Sequence, residues 1–256
     1  MSTPTSAARF SNRVQDYVRY RPGYPSALLH WLHAEQGVSP SARVADIGAG
    51  TGISSQMLLA GGHPVIAVEP NAAMRAAAES WLSAAVAGFR AVEGTAEATG
   101  LDADSIDLVS AAQAFHWFDT QAIRPEWQRI LAPRGRVLVY WNSRLLEGSR
   151  FLSGYEQLLL DYGTDYSAVA ERYQSDDDMR AWFGGGLQAI GRFPNVQMLD
   201  YDALQGRLLS SSYAPVAGDR AHAPMLAALR TLFDAEARDG QVAFEYQTRA
   251  FLGTLD

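Results

Sequence analysis

The chain contains no cysteine, which excludes disulfides, thiolate nucleophiles and zinc–sulfur sites together. No apolar run approaches the roughly 20 residues needed to cross a bilayer. The N-terminal "MSTPTSAARFSNR" has no apolar stretch of the kind a secretory leader needs. A cytoplasmic protein is the resulting expectation. Positive charge is also scarce: 21 Lys and Arg against 28 Asp and Glu give a net charge of −7, with no basic run. Such a surface repels a phosphate backbone, so nucleic acid is not expected as a partner, and neither is a membrane. The five histidines show no metal-type spacing, and no metal site is expected. Asp176, Asp177 and Asp178 read as carboxylates at the positive end of a helix dipole.

What is present is a chain of 256 residues, 48% of them hydrophobic, enough to bury the core of one generous domain. Residues 1–40 read as mostly helical, broken by the prolines and glycine of "RPGYP". A second helix, "SALLHWLHAEQG", has Ser26 as a candidate cap and Gly37 as its stop. His30, His33, His63 and His222 read as surface or cap residues. From Arg43 strands and helices alternate: "RVADIG", "ISSQMLLAGG", "VIAVEP", "AAMRAAAESWL" with Asn71 as cap, then "FRAVEG", "SIDLVSAA", "TQAIRPEWQRIL" and "RVLVYW". That order predicts an α/β domain with a parallel sheet covered on both faces. Residues 41–142 form its core. Residues 143–256, with helices at "FLSGYEQLLLDYG", "DDDMRAWF" and "APMLAALRTLFDAEARDG" and strands at "NVQMLDY" and "VAFEYQTRAFLG", complete the same domain.

The most informative stretch is "VADIGAGTG". A loop after the first strand of such a sheet lies where ligands bind, and glycines let backbone approach a ligand closely. Gly48, Gly50 and Gly52 fall at Gly-x-Gly-x-Gly. The dinucleotide fingerprint needs a glycine where Ile53 stands, and no lysine is near to make a phosphate loop. Asp46, two places before the first glycine, would repel a pyrophosphate and suit a cation. Glu69, at the tip of the second strand, can accept hydrogen bonds from both hydroxyls of a ribose. A ligand with an adenosine, no phosphate and a positive charge fits these features, and S-adenosyl-L-methionine has that description. A tight turn made for packing, with Glu69 a surface acid, is the plainer alternative.

With these residues in place the sequence resembles the class I S-adenosylmethionine-dependent methyltransferases. "VADIGAGTG" is similar to their first motif, which implies cofactor contacts from Asp46, Gly48, Ala49, Gly50, Thr51 and Gly52. "VIAVEP" resembles the second, implying contacts from Glu69 and Pro70 and packing of Met74 on the adenine. "EGTAEATGL" resembles the third, with Thr95, Ala96 and Glu97 at the adenine edge; Thr95 stands where many members carry aspartate. "YVRYRPGYP" and "AAQAFHWFD" are similar to small-molecule methyltransferases of the type-11 group, related to trans-aconitate methyltransferase. The resemblance implies a Rossmann-like sheet of seven mostly parallel strands, the last antiparallel and inserted beside the fifth. It also implies an N-terminal helical lid carrying Tyr17, Tyr20 and Arg21.

Methyl transfer from a sulfonium is an in-line displacement that chiefly requires alignment and exclusion of water. A base is needed only if the acceptor must first lose a proton. His116, following the fourth strand, is the candidate base or substrate hydrogen-bond donor; a packing role between Phe115 and Trp117 is its alternative. Gln113 is placed toward the methionine part of the cofactor. Arg21 either pairs with a carboxylate or fixes the Pro22–Pro25 turn. Tyr20, Trp117, Trp141 and Asn142 are expected to line the pocket of a small-molecule acceptor, with an organic acid favoured by the resemblance. A non-catalytic binder of the same cofactor and a nicotinamide-dependent dehydrogenase are the competing readings.

Overall fold

The structure is a computed structural model that describes residues 20–82, 88–166 and 174–255. Tyr17 and most of the first expected helix lie outside the described residues. Helix α1 (Ser26–His30) runs straight into a π-helical turn, Trp31–Glu35. Pro25 stands at its N-cap and no side chain caps it, so Ser26 is the first helical residue instead of the cap. The expected α/β alternation follows: β1 (Val44–Ile47), α2 (Ile53–Ala60), β2 (Val65–Val68), α3 (Ala72–Leu82), β3 (Phe89–Val92), β4 (Ile106–Ala112), α4 (Ile123–Ile130) and β5 (Leu131–Arg144). Asn71 caps α3 as expected, its Oδ1 accepting from the amides of Ala73 and Met74. Strand β5 begins earlier than "RVLVYW". Leu131 already pairs with Ile106, and an irregularity before Arg136, with Arg134 at φ +70°, absorbs the Pro133–Gly135 turn inside the strand.

The remaining elements are α5 (Arg150–Tyr162), α6 (Asp176–Phe183), β6 (Leu187–Leu199), α7 (Tyr201–Leu209), α8 (His222–Glu236) and β7 (Val242–Gly253). The sheet has seven strands in the order β3-β2-β1-β4-β5-β7-β6, with β7 antiparallel to both neighbours. The seven-stranded, mostly parallel Rossmann-like arrangement is thus the observed one. Strand β6 is longer than "NVQMLDY" suggests; at the edge of the sheet Pro194 needs no partner for a missing amide. Helix α7 was not anticipated, and Asp200 caps it through the amide of Ala203. Ser175 and Asp178 form a capping box on α6, so the Asp176–Asp178 run starts a helix.

Alternation along β5 separates two cores. Val137, Val139 and Trp141 face α4 and α6 on one side, while Leu138 and Tyr140 face α1, α2 and α3 on the other. A third cluster joins α5, α7 and α8 to the first half of β7 through Phe151, Leu208, Met225 and Phe244. Leu28 and Leu32 are fully buried, so α1 belongs to the helical layer; only the stretch before it passes the mouth of the cavity described below.

His63, expected at the surface, is buried with 2% exposure. Its Nδ1 donates to the Ala42 carbonyl, and its Nε2 lies 2.9 Å from His33 Nε2. The Ala42 bond fixes the His63 proton on Nδ1, so His33 donates across the pair. Burial lowers the pKa of both rings. The unfolded chain therefore takes up protons first as pH falls below about 6.5, and acid removes the stability this pair contributes at neutral pH. In urea titrations, the advantage of wild type over a His33→Gln/His63→Phe double variant should shrink between about pH 7.5 and pH 5.5. A pH-independent advantage would show that protonation of the pair is not linked to folding.

Candidate functional site

Strand order reverses between β1 and β4, and the loops leaving their carboxyl ends diverge there to form the crevice such sheets use for ligands. The loop after β1 explains its glycine spacing. Gly48, Gly50 and Gly52 have φ of +68°, +57° and +85°, so every second residue takes a left-handed conformation that a side chain would strain. Val68 O accepts from Gly48 N at 2.8 Å, and Glu69 Oε2 accepts from Gly50 N at 2.9 Å. Glu69 Oε1 accepts from Asn71 N. The second lone pair of each carboxylate oxygen is left for a ligand hydroxyl. Burial raises the Glu69 pKa against the pull of those two amides.

Asp46 does not line the cavity. It is 1% exposed and accepts from Ser54 Oγ, Ser55 Oγ and Ser110 Oγ at 2.5, 2.7 and 3.0 Å. Burial raises its pKa and the three hydroxyls oppose the shift. Its visible work is to tie β1 to the first turn of α2 and to β4. Gly52 also stays off the cavity: a Cβ there would meet Leu82 Cδ1 at 2.6 Å. At Gly50 the same atom meets only Met74 Sδ, at 3.8 Å.

The cavity has a volume of about 370 Å³. Its floor is Gly48, Ala49, Gly50 and Thr51, and its sides carry Gln113, His116, Trp117 and Asn142. Arg21, Pro22 and Tyr24 line the mouth. Arg21 is held by Ser210 through Nε to Oγ at 3.1 Å and Nη2 to the carbonyl at 3.0 Å; it both fixes this segment and faces the cavity. Gln113 has a strained φ of +54° and donates from Nε2 to Asn142 O. Its Oε1 and the Thr51 Oγ1 are buried with no partner among the described residues. His116 sits with its ring 4.9 Å from that of Trp117 on a short 3-10 turn, Phe115–Trp117.

Other expected residues lie elsewhere. Trp141, neighbour of Asn142 on β5, faces the opposite side of the sheet and packs edge-on against Phe115 and Phe251. Tyr20 stacks on Gly206 of α7 and does not reach the cavity. Thr95 and Ala98 bond each other, Glu97 is exposed, and the buried Ala96 gives its carbonyl to Trp127 Nε1. Pro70 is exposed and its carbonyl accepts from Arg75. Met74 is buried beside Gly50.

The far end of the cavity was not foreseen. Arg144, Glu156, Tyr166, Arg207, Tyr213 and Tyr246 line it. Arg144 Nη2 bonds Glu156 Oε2 and Tyr166 OH, and Tyr166 OH donates to Glu156 at 2.6 Å. Arg207 is 6% exposed and donates to Tyr246 OH and Ser211 Oγ. Period-2 spacing from Asn142 is the one sequence signal that could have found Arg144.

Three comparisons bear on this site. Residues 45–139 match the profile of a methyltransferase domain. The matched segment is 95 of the chain's 256 residues. A geranyl diphosphate methyltransferase of similar fold, with a TM-score of 0.52 at 15% identity and covering 90% of this chain and 85% of that one, was solved with S-adenosylmethionine. An uncharacterized methyltransferase of Mycobacterium tuberculosis is 40% identical over 135 residues, covering 53% of this chain and 52% of that protein. An uncharacterized methyltransferase of Schizosaccharomyces pombe is 31% identical over 139 residues, covering 53% of each. The chain thus spans about half the length of the curated relatives it matches. Among solved structures, a type II methyltransferase candidate from Anaeromyxobacter dehalogenans superposes with a TM-score of 0.66 at 22% identity, covering 92% of this chain and 98% of that one. Phosphoethanolamine N-methyltransferase 2 of Haemonchus contortus, solved with S-adenosylhomocysteine, gives 0.56 at 17% identity, covering 95% and 57%. At these identities the likeness is one of fold.

The residues present fit that cofactor: two orphaned polar atoms, the Glu69 carboxylate beside the Gly50 amide and the open space over Gly50 form a cradle without a phosphate-binding cation. At the far end, burial alone would push the Tyr213 phenol up, but the guanidiniums of Arg207, Arg21 and Arg144 hold it below the ordinary tyrosine value. The tyrosinate absorbance lost on Tyr213→Phe should therefore titrate below the ~10 of free tyrosine. A difference signal with its midpoint at or above that value would refute the cationic environment.

Proposed function

We propose that the protein transfers the methyl group of S-adenosylmethionine to a small organic acid. The observation that carries the reading is a single cavity that runs from the glycine loop, past Gln113, His116 and Trp117, to the arginines at its far end. In this assignment Gly48 to Thr51, Glu69 and Met74 hold the cofactor, and Asp46 and Gly52 hold the loop; the 95–97 loop, expected at the adenine edge, is left out because it does not line the cavity. Residues 41–142 supply the cofactor side and residues 143–256 the acceptor side. Of the N-terminal segment, Arg21 and Pro22 line the mouth. The resemblance of "YVRYRPGYP" and "AAQAFHWFD" to trans-aconitate-type methyltransferases supports the acid. The net charge of −7 argues against a nucleic acid acceptor.

S-adenosylmethionine supplies an activated methyl group, so the chain's task is to align the acceptor and keep water out. A carboxylate acceptor is already ionised at neutral pH and needs no base. His116 then orients the acceptor beside Trp117 instead of removing a proton. A His116→Gln variant should lose less than about tenfold in kcat, against the ~10²–10⁴ expected for loss of a general base. A larger loss with a pH step near the histidine range would assign it as a base.

The first test is isothermal titration with S-adenosylmethionine, S-adenosylhomocysteine and NAD. Binding of the two adenosyl ligands but not of NAD, followed by ester formation on an acid panel, is expected. Cofactor binding without turnover on any acceptor would favour a non-catalytic binder, and no binding would remove the reading. Gly50→Leu should abolish adenosyl-ligand binding while the thermal midpoint falls by only the few degrees that one strained left-handed residue costs, about 1–2 kcal/mol, because the new side chain enters the cradle instead of the core. Unchanged affinity would misplace the cofactor.

A further inference from the structure

Arg75 stands in the first turn of α3, where the helix dipole favours an acid and disfavours a cation. That turn carries no acid. A side chain that breaks this local rule needs a compensating gain, and its contacts show where the gain lies. Nη1 donates to Glu69 O at 2.8 Å and to Pro70 O at 2.9 Å. Nη2 reaches Glu93 Oε2 at 2.9 Å, just past the end of β3. The Arg75 side chain is 16% exposed and that of Glu93 77%, so the ion pair by itself contributes little.

The two carbonyls matter because of what shares their peptide planes. Pro70 O and the Asn71 N–H belong to one planar unit. Arg75 holds that unit by its oxygen, and its N–H donates to Glu69 Oε1 at 2.9 Å. The unit before it carries Glu69 O and, because Pro70 has no N–H, no backbone donor that could be held instead. One guanidinium nitrogen thus pins both peptide planes of the turn that follows β2. That turn sets the direction of a carboxylate whose other oxygen accepts from Gly50 N. Charge acts in the same sense. Burial raises the Glu69 pKa, and the Arg75 guanidinium opposes that push alongside the two amides, which favours the form that accepts on both oxygens.

Resting on the cofactor assignment above, we propose that Arg75 is a positioning residue for ribose recognition: by gripping the carbonyls of Glu69 and Pro70 it aims the Glu69 carboxylate at the two ribose hydroxyls of the cofactor. Arg75 does not itself line the cavity, so its effect passes through Glu69. Each carboxylate oxygen already gives one lone pair to an amide, and the lone pairs that remain have fixed directions. A turn free to rock would spread them over several directions. Hydrogen bonds to two neighbouring hydroxyls would then be met together less often. The fold does not depend on this grip, because Pro70 is exposed and water can replace the guanidinium on the outer side of the turn.

The test titrates the intact protein with S-adenosylhomocysteine and with its 2′,3′-dideoxy analogue, which lacks both ribose hydroxyls. Wild type should bind S-adenosylhomocysteine tighter by at least about tenfold, the range of hydrogen bonds to a charged group. Arg75→Met should weaken S-adenosylhomocysteine by about five- to tenfold and the dideoxy analogue by less than about twofold, a coupling ordinary for groups in contact. In a Glu69→Ala background the same substitution should cost less than about twofold for either ligand. No change for either ligand, a parallel loss for both, or a loss that persists without the carboxylate would overturn the proposal while the cofactor reading stands. Equal wild-type affinity for the two ligands would show that Glu69 does not hold the ribose, and the proposal would fall with that assignment. Failure of S-adenosylhomocysteine to bind wild type would overturn the cofactor reading itself, and is seen before any variant is made.

Discussion

Asp46 is enclosed at the end of β1 by three serine hydroxyls, two from the first turn of α2 and one from β4. A carboxylate so deeply placed is tolerable only while those donors stay where they are, so β1, α2 and β4 are locked in one mutual position. Glu69 repeats the device at the end of β2, where its two oxygens hold the amides of Gly50 and Asn71. Between them the two acids fix the height and tilt of the glycine loop. The loop in turn sets the floor of the cavity, and the remaining walls are arranged around that floor.

The two ends of the cavity are made by different means. The inner end is backbone: three left-handed glycines, a strained Gln113 and amides turned toward a carboxylate. Backbone placed by short strand–helix turns is rigid and chemically general, which suits a cofactor of fixed shape. The outer end is made of long side chains from four elements, braced against one another by Glu156, Tyr166 and Tyr246. Substitutions there can alter the outer end without moving the glycine loop.

That difference also decided what could be read in the sequence. The glycine loop, Glu69, the cap at Asn71 and the strand at "VAFEYQTRAFLG" all rest on local pattern, and each stands where the pattern placed it. The cluster of Arg144, Glu156, Arg207 and Tyr246 rests on packing between segments up to about a hundred residues apart, which no local pattern encodes. Trp141 and Asn142 could not share one wall, because neighbours on a strand point to opposite faces. His63 sits beneath a turn where its burial depends on His33, thirty residues earlier. Strand β6 was underestimated because Gly191 and Pro194 break the pattern, and only its place at the sheet edge makes them acceptable.

The position of β7 has a consequence for assembly. Strand β6 has one neighbour in the sheet, and that neighbour is β7, which comes later in the chain. The half of the domain that carries Arg207 and Tyr246 therefore has no sheet to dock on until β7 has paired with β5. Up to that moment β5 offers an open edge with its central residues apolar, a surface that invites pairing with another chain. The half built from β1 to β4 needs only parallel pairings no more than about 65 residues apart. The half that carries Arg207 and Tyr246 waits on a strand insertion across sequence separations of about a hundred residues, so it is expected to be the slower half to fold and the first to open.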